Sequence, residues 1–253
     1  FGGGLAQVVD TPISRKGESK ERSYFGNVTL HLSEATEISG GARHIDYETD
    51  NILVVNGQTL TNSTLKGKKW IYSGSVKHNF SDDLMVYAST GSSWRAGINA
   101  IGDFNIAKSA RENSFLNLPP ETSKSYEVGL KSTMMDGRMK FNVSAFHQTF
   151  KNYPYRAPNG VYYVNTAVVR DNLGNITGTR QEVAQFNFVA AVPVKVKGIE
   201  ADLAFDINDN WNMGLVASYT VGKIKNGTIP CTDINGDGVP DVVTSAPSLA
   251  TLQ

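Results

Sequence analysis

The hydrophobic pattern along the chain has a period of two. Trp211, Met213, Leu215, Ala217 and Tyr219 alternate with Asn212, Gly214, Val216 and Ser218, while Ile199, Ala201, Leu203 and Phe205 alternate with Gly198, Glu200, Asp202 and Ala204. The same rhythm carries Met139, Phe141, Val143 and Ala145, then Tyr126, Val128 and Leu130, then Trp70, Tyr72, Gly74 and Val76. Successive side chains of a strand point to opposite faces, so this period predicts strands that separate an apolar environment from a polar one. No segment sustains a helical period. The segments pair across polar turns at Ser33–Thr36, Ser81–Asp83, Met135–Arg138 and Asn208–Asn210, which carry the Asp, Asn, Gly and Ser chemistry of hairpins. The predicted fold is all-β, an antiparallel meander of eight long strands at about 23–33, 36–47, 68–80, 84–97, 122–134, 139–152, 185–206 and 211–225.

The hairpins at about 23–47, 68–97, 122–152 and 185–225 alternate with long stretches at about 1–22, 48–67, 98–121, 153–184 and 226–253, read as external loops. Short turns at one end and long loops at the other, joined by strands of at least nine residues, are the design of a transmembrane β-barrel. Closure satisfies every backbone group, as lipid requires. A soluble β-sandwich also alternates, but with shorter strands and turn signals every eight to twelve residues. Phe80, Phe205 and Trp211 lie beside the short turns, and Tyr24, Phe25, Trp70, Tyr72, Trp94, Phe150 and Tyr153 toward the long loops, as two interfacial girdles would.

Composition then changes its meaning. Only 40% of the 253 residues are hydrophobic, below the usual share for a globular chain, yet sufficient when one face meets lipid and the other water. Twenty-four basic and 24 acidic side chains cancel, which leaves no general basic field for nucleic acid. One cysteine builds no internal disulfide framework. If the tight turns are periplasmic, both chain ends fall in external loops, so the expectation is an internal section of a larger barrel. The opening Phe1-Gly-Gly-Gly-Leu5, with neither methionine nor signal peptide, fits a piece or a processed product.

At this point a resemblance enters. Pro120-Glu-Thr-Ser-Lys-Ser-Tyr-Glu-Val-Gly-Leu-Lys131, followed by a turn and Phe141-Asn-Val-Ser-Ala-Phe-His-Gln-Thr-Phe150, resembles a signature of TonB-dependent outer-membrane receptors. Leu84 to Gly97 is similar to the preceding strand of that family, and Ser23 to Arg43 and Val196 to Leu203 fit its neighbouring hairpins. The resemblance implies a barrel of about 22 strands with a plugged lumen, of which this chain supplies part of the wall. It also implies import of a scarce ligand (a siderophore, haem, cobalamin or saccharide) across the cell outer membrane, with energy delivered by TonB and its inner-membrane partner proteins through a plug outside this chain. The partners are then outer-membrane lipid, the small-molecule ligand and TonB. A passive porin-like channel and a soluble β-rich adhesion or carbohydrate-binding protein are the alternatives.

Several side chains are candidate sites. Arg95, Glu127, Lys131, Glu200 and Asp202 fall on faces assigned to the lumen or its mouth, where they would contact ligand or plug, or simply pair along a wetted wall. Asp233, Asn235, Asp237 and Asp241 have spacings that could converge oxygen ligands on calcium, with Gly238 permitting the turn; Thr244 replaces the bidentate Glu of an EF-hand, and a plain Asx/Gly turn is the alternative. Cys231 precedes this loop; of a free thiol and a disulfide, the expectation on the cell exterior is a disulfide with a cysteine outside this chain. His31, His44, His78 and His147 are scattered over separate strands, and no nucleophile elbow, phosphate loop or supported acid pair appears, so no enzyme is expected.

Overall fold

Alternation and turn chemistry act together in the fold: each two-faced strand reverses at its polar turn and pairs with the next. A computed structural model describes residues 12–55, 57–99, 117–156, 161–171, 173, 175–186, 189–232, 234, 241–243 and 245–252. Its strands are β1 Ile13–His31, β2 Thr36–Val55, β3 Gln58–Ser81, β4 Leu84–Arg95, β5 Ile98–Asn99, β6 Asn117–Leu118, β7 Glu121–Met134, β8 Met139–Arg156, β9 Val161–Arg170, β10 Ile176–Phe186, β11 Val189–Asn208 and β12 Trp211–Ile224. Eight of them form one antiparallel sheet in the order β1-β2-β3-β4-β7-β8-β11-β12, and the pairs β5–β6 and β9–β10 are separate insertions.

The four tight turns lie at one end and are built from their own side chains. Ser33 Oγ accepts the Ala35 and Thr36 amides at 3.3 and 3.1 Å, Ser81 Oγ accepts that of Asp83 at 3.2 Å, and Asn208 Oδ1 accepts that of Asn210 at 3.0 Å. The third turn runs through Met135, Asp136 and Gly137 at φ 57°, 53° and 88°, a left-handed pair plus glycine of the kind that matches strand twist. Each of the first three turns is also bonded to the following hairpin. The Asn79 amide donates to Ala35 O, Thr133 to Asp83 O and Asp206 to Arg138 O, all at 2.8 Å.

The opposite end departs from the sequence-based boundaries. β1 begins at Ile13, and β2 and β3 run on through 48–67 to Val55 and Gln58. The reversal is at Gly57, φ 74°, within Val55-Asn-Gly-Gln58, a strong hairpin signal. Counting from His44 to Val55, about 3.4 Å per residue makes this three-stranded tongue roughly 35 Å long. Likewise 153–184 is not a structureless loop: β8 continues to Arg156, and β9 pairs with β10 around a turn in which Asp171 Oδ1 accepts the amides of Leu173 and Asn175, both at 2.9 Å. Val161 and Tyr163 of this hairpin bury against Ala190 and Val192, and Thr232 Oγ1 accepts the Tyr162 amide at 3.0 Å, tying the segment after β12 to it. β11 bulges between Val192 and Val194, at Pro193, which has no amide to give the ladder.

Candidate functional site

Register sorts every side chain of the sheet onto one of two faces. Leu30, Ile38, Val76, Ala88, Val128, Ala145, Ile199 and Tyr219 form a single row across all eight strands. This row is apolar and open: Val128 is 57% exposed, Ile199 54% and Tyr219 71%. Exposed apolar surface of this extent marks contact with another apolar phase. Trp211 and Phe80 bound it toward the short turns and Tyr24, Trp70, Tyr72 and Tyr126 toward the tongue, all exposed. Trp211 to Tyr219 spans about 27 Å along the strand and about 20 Å of depth once tilted, close to the apolar band of a membrane barrel. Phe25 and Phe150, expected in the outer girdle, pair with Arg43 and with Ser123 and Val194 on the opposite face. No helix among the described residues is long and apolar enough to cross a membrane.

The opposite face is polar and carries the candidate residues. Lys131, Asn142 and Asp202 share a row across β7, β8 and β11; the next row holds Tyr87, Gly129, Ser144, Glu200 and Ser218; the next holds Ser89, Glu127, Phe146 and Gly198. Four of the five predicted residues therefore meet on one patch. Tyr87 Oη donates to Glu127 Oε1 at 2.5 Å, Asn142 Nδ2 donates to Asp202 Oδ2 at 2.7 Å, and Lys131 Nζ stands 5.9 Å from the Tyr87 ring centroid. Counted with its border, where Lys77 stands opposite Tyr87 and pairs with Glu37 at 2.9 Å and Lys140 lies one row from Asn142, the patch has four carboxylates against three ammonium groups, so its field is weakly negative. Tyr87, Lys131, Asn142, Ser144, Glu200 and Asp202 line a shallow depression of about 370 Å³.

Arg95 is elsewhere. It lies six residues along β4 from the Glu127 row, about 20 Å away, and pairs at 2.5 Å with Glu121, its cross-strand neighbour.

Glycines give the patch its shape. Tyr47 faces Gly67, Tyr87 faces Gly129 and Phe146 faces Gly198 as direct cross-strand pairs. A Cβ on Gly129 would come within 2.4 Å of the Tyr87 ring and one on Gly198 within 2.7 Å of Phe146, so each ring lies down where its partner has no side chain. That posture carries the Tyr87 hydroxyl to Glu127. Tyr87 and Asn142 were not singled out in the sequence, though both sit on the polar phase of the alternation.

Outside the spanning rows, Tyr47 is 7% exposed, and burial raises the pKa of its hydroxyl. A hydrogen bond with Glu18, ahead of their charge attraction, raises that of Lys20. Of the loop after β12, Asp233, Asn235 and Asp237 lie outside the described residues. Asp241 Oδ2 accepts the Ile234 amide at 2.6 Å, so that carboxylate closes its own turn. Cys231 is a half-buried thiol beside Thr232.

Comparison with known proteins gives one consistent outcome. Residues 3–251 match the family model described as TonB dependent receptor-like, beta-barrel. Among solved structures, the chain is similar to the alcaligin outer-membrane receptor FauA of Bordetella pertussis, with a TM-score of 0.53 and 21% identity over 86% of this chain and 32% of that one. It is similar to the ferric-catecholate import receptor Fiu of E. coli K12, with a TM-score of 0.57 and 17% identity over 89% and 30%. The copper transporter OprC gives a TM-score of 0.58 and 16% identity over 82% and 30%. At these identities the likeness is one of fold, and the chain spans about a third of the length of each.

Proposed function

Because this chain belongs to the TonB-dependent receptor β-barrel family, we propose that its sheet is a section of the wall of an outer-membrane importer, which captures a scarce small molecule and moves it inward with energy delivered by TonB. The chain is part of a transport receptor of the outer membrane, not of an enzyme. The ligand class to test first is a metal chelate, the class named for the ferric-catecholate receptor.

The observation that carries this reading is the pairing of an exposed apolar face with a polar face that holds a built, net negative patch. A passive pore needs only a wetted wall. Here Glu127, Glu200, Asp202 and Lys131 are gathered, and two of the carboxylates are already oriented by Tyr87 and Asn142. Such a patch suits a cationic partner surface. We assign that surface to the plug and the Arg95–Glu121 pair near the mouth to ligand contact.

The test uses full-length receptor in cells given a radiolabelled ferric siderophore. Uptake is expected to stop when the proton gradient is collapsed while surface binding persists, and the Glu127→Gln/Glu200→Gln double variant should lose most uptake while keeping surface binding. Uptake that continues without the gradient would make the protein a passive channel and overturn the proposal.

A further inference from the structure

The apolar face does not end in the same way on its two flanks. Above the girdle on the β1–β3 flank, the outward positions carry Lys16, Glu18, Lys20, Arg22, Asp46, Glu48, Asp50, Lys66 and Lys68. Cations and anions alternate there, and they pair: Lys20 with Glu18 at 3.0 Å, Lys66 with Glu48 at 2.9 Å and Lys68 with Asp46 at 3.3 Å. On the β7–β12 flank the same level is different. Lys124, Thr149, Lys195 and Lys223 form one row across β7, β8, β11 and β12, with Lys197 one step toward the apolar band and Lys151 one step away from it.

No aspartate or glutamate shares that face of the four strands at that level, and among the described residues none of the five lysines pairs with a carboxylate. All five are exposed. Lys195 and Lys223 stand directly opposite each other, and like charges in a cross-strand pair are destabilising unless an anion lies between them.

Position identifies the anion. The lysine row lies four residues beyond the Val128–Ala145–Ile199–Tyr219 row, about 13 Å along the strand, with Tyr126 and His147 between them. That is the depth of lipid headgroups, immediately outside the aromatic girdle. Strand spacing of about 4.8 Å sets Lys124 and Lys223 roughly 14 Å apart, the breadth of a single large headgroup.

We propose that Lys124, Lys195, Lys197 and Lys223, with Lys151 at the margin, form a docking site on the outside of the barrel for a multiply phosphorylated lipid headgroup of the outer leaflet. Its acyl chains lie on the apolar band beneath. The ammonium groups neutralise the phosphates, and the phosphates remove the repulsion between Lys195 and Lys223. On the β1–β3 flank carboxylates are interleaved with the cations and three of the five cations, Lys20, Lys66 and Lys68, are already paired, so that flank does not hold such a lipid.

The experiment takes full-length receptor, delipidated in a zwitterionic detergent, and titrates it with bis-phosphorylated lipid A, dephosphorylated lipid A, phosphatidylglycerol and phosphatidylcholine, with bound lipid counted by native mass spectrometry. Lipid A is expected to bind, and binding should weaken as salt rises. With about fivefold lost per lysine, Lys195→Gln/Lys223→Gln should weaken it about 25-fold, while Lys195→Arg/Lys223→Arg and Lys66→Gln/Lys68→Gln leave it unchanged. Heat-modifiable migration checks that every variant is folded. Equal retention by Lys195→Gln/Lys223→Gln and the parent overturns the proposal. So does equal binding of the dephosphorylated lipid or of phosphatidylglycerol.

Discussion

The β1–β3 flank and the β7–β12 flank obey the same alternation through the apolar band and then diverge. Past the girdle, β2 and β3 continue as a tongue to Val55 and Gln58, and most of its cations pair within the protein, Lys20, Lys66 and Lys68 on the outward face and Arg43 with Glu21 at 2.6 Å on the other. On the second flank β12 ends at Ile224, one residue beyond Lys223, and β7 begins at Glu121, three residues before Lys124, while β8 and β11 run on to Arg156 and from Val189 but bury apolar residues against β9; the outward lysines are left unmatched. The lesson is about where a strand stops. Strands that run on side by side in water can pair their charges with each other, whereas one that stops at the interface, like β7 or β12, or whose extension is apolar, like that of β11, presents its interfacial charges to whatever occupies the interface.

The sharpest way to break this comparison is to move charge between levels. Leu215→Arg, midway between Trp211 and Tyr219 in the apolar band, is expected to destabilise the folded receptor in lipid vesicles by about 2–4 kcal/mol, whereas Thr149→Arg, in the lysine row, should cost no more than about 1 kcal/mol in the same urea titration. Equal costs would show that the two rows do not lie at different depths. Next in size is Gly129→Val. The added side chain must lift Tyr87 off the sheet and overpack the patch, at about 1–3 kcal/mol, and Tyr87→Ala in the same chain should recover part of the loss. Tyr87→Phe leaves the ring in place and removes only the bond to Glu127, so roughly 1 kcal/mol is expected, with a larger effect on uptake than on unfolding. The smallest effect belongs to the tongue: Lys66→Ala and Lys68→Ala remove exposed ion pairs and should shift stability by a few tenths of a kcal/mol at low salt and by nothing measurable at high salt. A larger loss there would mean that the tongue's pairs act as a network.

How much of this was legible in the sequence follows from the same physics. The eight strands and four turns could be read because the two faces of each strand meet different media. Where both faces meet water, as along Glu48-Thr-Asp-Asn-Ile52, the binary signal vanishes, so the tongue reads as a loop although Asn56-Gly57 announces its hairpin. β9 and β10 were hidden for a related reason: their apolar residues bury against the start of β11, a contact that no local pattern encodes. Glu127, Lys131, Glu200 and Asp202 could be assigned to one face from phase alone. That they gather, while Arg95 sits apart with Glu121, depends on the stagger between strands, which only the register of the sheet supplies.

The backbone bonds at the tight turns bear on how such a wall is made. Ala35 O, Asp83 O and Arg138 O each receive an amide from a strand of the next hairpin, through Asn79, Thr133 and Asp206. A hairpin therefore has a carbonyl at its water-facing tip that only its successor completes, and the open strand edge above that tip, which does lie in hydrocarbon, is costly until the next strand pairs with it. Assembly is thereby biased toward sequential zippering, each hairpin completed by the one that follows. Five of the seven pairings of the sheet close across tight turns, and the other two, β4–β7 and β8–β11, join strands separated only by the insertions that carry β5–β6 and β9–β10, so the entropic cost of each step grows slowly as the wall widens.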